Sequence, residues 1–156
     1  MNNNPALNQI RNYYQLDATT GTAGQPEADH FPLIRKSGYE LVINLALHDS
    51  PHALENEAQL AEQQGLEYVH IPVDFRKPEI TVLDQFFTVL QKNRQRNVFI
   101  HCALNWRVSS FMYLYRVIRE GVPEPVARKD LLEVWQPDQT WEAFMKSAFR
   151  KYKHQS

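Results

Sequence analysis

A single cysteine, Cys102, stands among 156 residues. No disulfide can form within the chain, and its folding needs no oxidising compartment. An excess of charge of one sign is also missing, since 17 Lys and Arg face 18 Asp and Glu for a net charge of −1. No global field draws such a chain to nucleic acid or to an anionic membrane, so any affinity for anions has to be local. Long hydrophobic runs are absent, and the apolar stretches stop well short of the roughly 20 residues of a membrane-spanning helix. The start, MNNNPALNQI, has neither the basic opening nor the apolar middle of a secretory leader. Glycine is scarce, five residues in all, and no glycine-rich nucleotide motif appears. These absences point to a soluble, cytoplasmic protein without nucleic-acid or membrane partners, and they leave its oligomeric state open.

What is there is a core. At 43% hydrophobic residues, a chain of this length buries roughly 70% of the surface its unfolded form exposes. No repeat, low-complexity tract or linker divides it, so one domain is expected over 1–156. NYYQL (12–16) reads as an edge strand. EADHFPLIRKSG (27–38) reads as a helix with Asp29 as cap, Pro32 in the first turn and Gly38 as stop. LVINLAL (41–47), LEYVHIPV (66–73) and NVFIH (97–101) read as strands. SPHALENEAQLAEQQG (50–65), capped at Ser50 or beginning near Leu54, and ITVLDQFFTVLQKN (80–93) read as helices between them. Helices VSSFMYLYRVIREG (108–121), EPVARKDLLEVW (124–135) and DQTWEAFMKSAFRKY (138–152), the last capped by Asp138, complete the chain. Strands alternating with helices predict a three-layer α/β fold. Its central sheet is mostly parallel, with about four to five strands flanked by helices.

Sheets of this kind place ligands at the carboxyl ends of their strands, and Cys102 stands at one such end in VFIHCALNWRVSS (98–110). The segment Ala103, Leu104, Asn105 and Trp106 then forms a tight loop before a helix that starts near Arg107. Its backbone N–H groups and the positive helix end make an anion site, and the same field favours a thiolate. Arg107 adds a planar fork of donors suited to a tetrahedral oxyanion. Asn105 is the loop residue best able to adopt a positive φ. His101 points away from the thiol, because strand side chains alternate, and can brace the loop through hydrogen bonds. The plainer alternative is that Cys102 is a small buried hydrophobe, as lone cysteines commonly are.

HCALNWRVSS resembles the signature of cysteine-dependent phosphatases of the protein tyrosine and dual-specificity superfamily. More narrowly, the chain is similar to the bacterial phosphatase-like family first described as a domain of unknown function and associated with beta-lactamase hydrolase-like proteins. AGQP (23–26), GYELVINLA (38–46), GLEYVHIPVDF (65–75) and VFIHCALNWRVSS carry the match, which covers roughly positions 20 to 120. The resemblance implies a phosphotyrosine-phosphatase-like fold and hydrolysis of phosphate monoesters, phosphotyrosine among them, with no metal or other cofactor. Cys102 would attack phosphorus to give a phosphocysteine, and Arg107 with the N–H groups of Ala103 to Arg107 would hold the oxygens. Asp74, just past the strand that ends at Val73, would serve as general acid. Ser109 would donate to the thiolate as it leaves in the second step.

One feature departs from the tyrosine and dual-specificity pattern: four residues, not five, separate Cys102 from Arg107, and the usual loop glycine is missing. A four-residue gap also occurs in rhodanese-like sulfurtransferases, so sulfur transfer at Cys102 is a second reading. A phosphate-binding module with little turnover, its pocket narrowed by Trp106, is a third. His48 and His52 flank Asp49 like half a metal site, but Pro51 interrupts the segment and no third ligand follows. Trp135, Trp141, Phe144 and Phe149 are expected in the core.

Overall fold

The computed structural model describes residues 5–153. A 3₁₀ turn, Pro5–Gln9, leads into β1 (Tyr14–Gln15) and β2 (Thr20–Ala23), and a second turn, Ala28–His30, runs into α1 (Phe31–Lys36). Next come β3 (Leu41–Asn44), α2 (Glu57–Gln63), β4 (Glu67–His70), α3 (Ile80–Lys92) and β5 (Val98–His101). The chain finishes with α4 (Trp106–Ile118), α5 (Glu124–Val134) and α6 (Gln139–Lys153). The five strands form one sheet in the order β1-β2-β5-β3-β4, parallel throughout except for β1 against β2.

The central strands are buried on both faces, which is why they read as unbroken apolar runs. Leu41, Ile43, Val98 and Ile100 face a core shared with α3 to α6, while Val42 and Phe99 face a second core with the first 3₁₀ turn, α1 and α2. Period-two alternation therefore puts neighbouring residues of β5 into different cores. Trp135, Trp141 and Phe144 lie buried in the first core, and Phe149 packs half-buried against it.

Three expectations need correction. The segment Thr20–Ala23, TGTA, is a full strand paired with Val98–His101 and was not anticipated, because two small residues and two threonines give no apolar signal. The segment 50–56 is not helical: His52 adopts a φ of 66°, through which a helix cannot continue, so α2 begins only at Glu57. Ser50 is consequently no cap. Asp29 likewise lies inside the 3₁₀ turn that precedes α1 and not at its cap. The helix stops at Gly38, Gly65 and Gly121 hold, at φ of 99°, 77° and 71°, as does the cap Asp138, whose Oδ1 accepts the Trp141 N–H at 2.9 Å.

Candidate active site

Cys102 follows β5 directly, in the middle of the parallel part of the sheet. Its N–H donates to the Ala23 carbonyl at 3.2 Å, and the His101 carbonyl accepts the Leu45 N–H at 2.8 Å. The neighbouring strands thus fix the backbone on both sides of the thiol.

The loop that follows is held from outside through its carbonyls. The Ala103 carbonyl accepts the Gln25 N–H at 3.0 Å, and the Leu104 carbonyl accepts from Asn12 Nδ2 at 2.9 Å. Across a trans peptide the carbonyl and the next N–H point in opposite directions. Tying the Ala103 carbonyl outward therefore turns the Leu104 N–H to the inner side, and the bridge between Gly24 and Leu104 joins this part of the loop to the end of β2. Asn105 completes the bend at a φ of 71°, and its Nδ2 donates to the Asn12 carbonyl at 2.9 Å and to Thr22 Oγ1 at 3.0 Å. These Nδ2 contacts turn the side chain toward Asn12 and Thr22, so it does not cap α4, and its Oδ1 is buried without a hydrogen-bond partner among the described residues. The first bond of that helix runs from the Ser109 N–H to the Asn105 carbonyl at 2.9 Å. The N–H groups of Trp106, Arg107 and Val108 therefore have no intrahelical acceptor. An uncapped N-terminus behind an inward-turned loop is a site for an anion.

Gly24 makes the outer support possible, since a Cβ there would lie 2.5 Å from the Ala103 carbonyl oxygen and 3.0 Å from that of Arg11. The AGQP segment is thus the buttress of the thiol loop.

Arg107 is 7% exposed, and its Nη1 donates to the Val73 carbonyl at 2.9 Å. Among the described residues no carboxylate pairs with it. A buried cation without a counter-ion is costly unless a ligand supplies the charge. Arg107 lines one cleft of about 220 Å³ with Cys102, Ala103, Leu104, Trp106, Pro51 and Phe75. Its walls are largely apolar: the Trp106 ring stacks on Trp135 with centroids 4.9 Å apart, and Phe75 packs at 5.8 Å against Trp106.

Asp74 sits at the carboxyl edge of the sheet beyond β4, between two anchored residues. Arg107 holds the Val73 carbonyl, and Trp141 Nε1 donates to that of Phe75 at 2.9 Å. The Asp74 carboxylate itself is exposed and accepts the Arg76 N–H at 2.9 Å, so it closes its own turn and does not line the cleft. Ser109 is placed differently from its expected role. Its hydroxyl donates to the Trp106 carbonyl at 3.2 Å, and its side chain lines a separate cleft with Tyr14, Leu16 and Met112. That orientation follows from its position one turn into α4, where a serine hydroxyl bonds back to a carbonyl of the preceding turn, here one that also accepts from Ser110 Oγ at 2.8 Å.

His101 belongs to the face opposite Cys102. Its Nε2 lies 2.5 Å from Glu57 Oε2 and its Nδ1 lies 3.2 Å from the Cys102 carbonyl oxygen. Glu57 was not anticipated, since a glutamate at the start of a polar helix carries no mark of burial. Burial works against its anion, but the charge and hydrogen bond of His101, with further bonds from Gln25 and Tyr68, hold its carboxyl below the ordinary value.

A thiol, an uncapped helix start and a buried unpaired arginine in one cleft, on a five-stranded mostly parallel sheet, define a phosphatase domain of the tyrosine and dual-specificity class. The sequence bears this out: the chain belongs to the family described as DSP-PTPase phosphatase fused to NAD+ kinase, which it matches over residues 8–147. Among solved structures it is similar to a DUF442 protein from Shewanella putrefaciens CN-32, with 29% identity and a TM-score of 0.85 over 94% of this chain and 96% of that one. TpbA from P. aeruginosa shares the fold at 16% identity and a TM-score of 0.71, covering 93% of this chain and 87% of that one. PTPMT1 does so at 14% identity and a TM-score of 0.76, covering 92% and 97%. No curated protein matches the chain.

Proposed function

We propose that the protein hydrolyses phosphate monoesters, aryl esters such as phosphotyrosine among them, through a phosphocysteine on Cys102. The observation that carries this reading is Arg107, a buried cation with no carboxylate partner among the described residues that shares a cleft with the thiol. The Cys102 thiolate attacks phosphorus as the ester P–O bond breaks, and the leaving oxygen takes the bonding electron pair and a proton from Asp74. Loop N–H groups and the Arg107 guanidinium stabilise the charge on the three remaining oxygens. Water then attacks the phosphocysteine, Asp74 takes its proton, and the thiolate leaves. For the first step the 74–77 turn has to open, releasing Asp74 from the Arg76 N–H toward the cleft. The rings of Phe75 and Trp106 and the side of Pro51 suit a flat leaving group. TpbA, the relative of the same fold, has been crystallised with phosphotyrosine.

The test measures two activities on one preparation. Turnover of p-nitrophenyl phosphate that vanadate inhibits, without transfer of sulfur from thiosulfate to cyanide, is the expected result. Rapid sulfur transfer with no phosphatase activity sinks the reading, and inorganic phosphate binding with neither activity assigns the site to binding alone.

A further inference from the structure

Behind the thiol loop, on the α2 face of the sheet, lies a polar network that the proposed chemistry does not use. Glu57 is 4% exposed and His101 fully buried. Glu57 Oε1 accepts from Gln25 Nε2 at 2.8 Å, and beside its carboxylate stands the Tyr68 hydroxyl, which accepts from Asn44 Nδ2 at 3.0 Å. Gln25 is the residue whose N–H holds the Ala103 carbonyl. The network therefore touches the loop twice, at Ala103 through Gln25 and at Cys102 through His101.

The His101 ring faces acceptors on both sides, the Glu57 carboxylate at Nε2 and the Cys102 carbonyl at Nδ1. A neutral imidazole carries one N–H and would set a lone pair against one of these oxygens. Only a ring protonated at both nitrogens satisfies both acceptors, and a buried imidazolium needs a buried anion beside it. Glu57 is that anion, delivered by the first turn of α2. We infer that Glu57 is a positioning residue of the thiol loop, keeping His101 a double donor so that its Nδ1–H fixes the Cys102 carbonyl. This rests on Cys102 being the reacting thiol.

The pair is neutral as a whole, but its positive member adjoins Cys102 and its negative member lies beyond. The nearby field thus favours an anion at the thiol. The titratable groups that meet at His101 are Glu57 from α2, Tyr68 from β4 behind it, and Cys102. With Glu57 neutralised, the imidazolium loses its counter-ion and gives up a proton. The bond to the Cys102 carbonyl and the favourable field then go together.

The experiment compares the wild type with Glu57→Gln, an amide of the same shape. Nitrogen NMR of the ring at pH 7, assigned with His101→Gln, is expected to show two protonated nitrogens in the wild type and one in the variant. Alkylation of Cys102 by iodoacetamide between pH 5 and 9 is expected to be about tenfold slower in the variant at the acid end and to converge with the wild type at the alkaline end. A tenfold change corresponds to one unit of displaced titration. A singly protonated His101 in the wild type overturns the inference. So does a variant alkylation profile that matches the wild type or drops uniformly at every pH, the latter being the mark of a merely structural role. If Glu57→Gln does not fold, the wild-type spectrum decides. Alkylation needs no turnover, so absence of aryl phosphate hydrolysis with the alkylation difference intact removes the phosphatase reading and leaves this one standing.

Discussion

The two faces of the sheet treat charge in opposite ways within one residue of sequence. On the α2 face, His101 is buried against Glu57 at 2.5 Å, and each polar atom of that carboxylate is engaged. On the opposite face, Cys102 and Arg107 share a cleft, and among the described residues the guanidinium bonds the Val73 carbonyl and no carboxylate. A buried charge that is matched is part of the frame, whereas one left unmatched marks where a ligand brings the missing charge. Alternation along β5 separates the two, so the frame can be rigid directly behind a site that stays open.

The largest expected effect breaks the open side outright. Cys102→Ser should abolish hydrolysis of p-nitrophenyl phosphate while circular dichroism stays unchanged, because a hydroxyl does not ionise at neutral pH; retained turnover removes Cys102 from the mechanism. Asp74→Asn should lower kcat by about 10² to 10⁴, the range for a positioned acid, with a smaller loss on esters whose leaving group departs unprotonated. Equal rates on a poor leaving group would assign proton donation elsewhere. Arg107→Lys keeps the charge and removes the fork, and a loss of at least about tenfold in kcat/KM is expected.

Two further changes probe the frame. Gly24→Ala drives a Cβ against the Ala103 carbonyl, a backbone atom that cannot rotate aside. It should cost about 1 to 3 kcal/mol in urea denaturation, the usual price of overpacking, and weaken phosphate binding with it. The smallest effect concerns acid. The folded-state pKa of Glu57 lies below its ordinary value, so its contribution to stability is present above the unfolded value of about 4.3 and is lost as pH falls through the folded one. Glu57→Gln should flatten the stability curve below about pH 4.3, and an unchanged acid limb would show that other carboxylates set it.

Much of the candidate site was legible in the sequence, because strand, thiol, short loop and helix are consecutive and each has a local cause. The apolar run Val98 to Ile100 forms its strand, and Asn105 adopts its positive φ. The supports of the loop were hidden: Asn12, Thr22, Gln25 and Glu57 lie 44 to 93 positions from the residues they hold. AGQP was visible as a segment, but its task depends on a carbonyl approaching Gly24, which no pattern in the segment announces.

By itself the sequence determined the α/β alternation, the mostly parallel sheet, the position of the thiol at a strand end and the loop that turns behind it. These follow from periodicity and local backbone preference, which act over a few residues. Only the tertiary structure decided that TGTA is a strand, that Ser109 turns to the Trp106 carbonyl, that Asp74 closes its own turn, and that a glutamate from α2 is buried against His101. Each of these depends on which partner is within hydrogen-bond reach after the chain has packed. That is a matter of distance in space, which residue spacing along the chain does not encode.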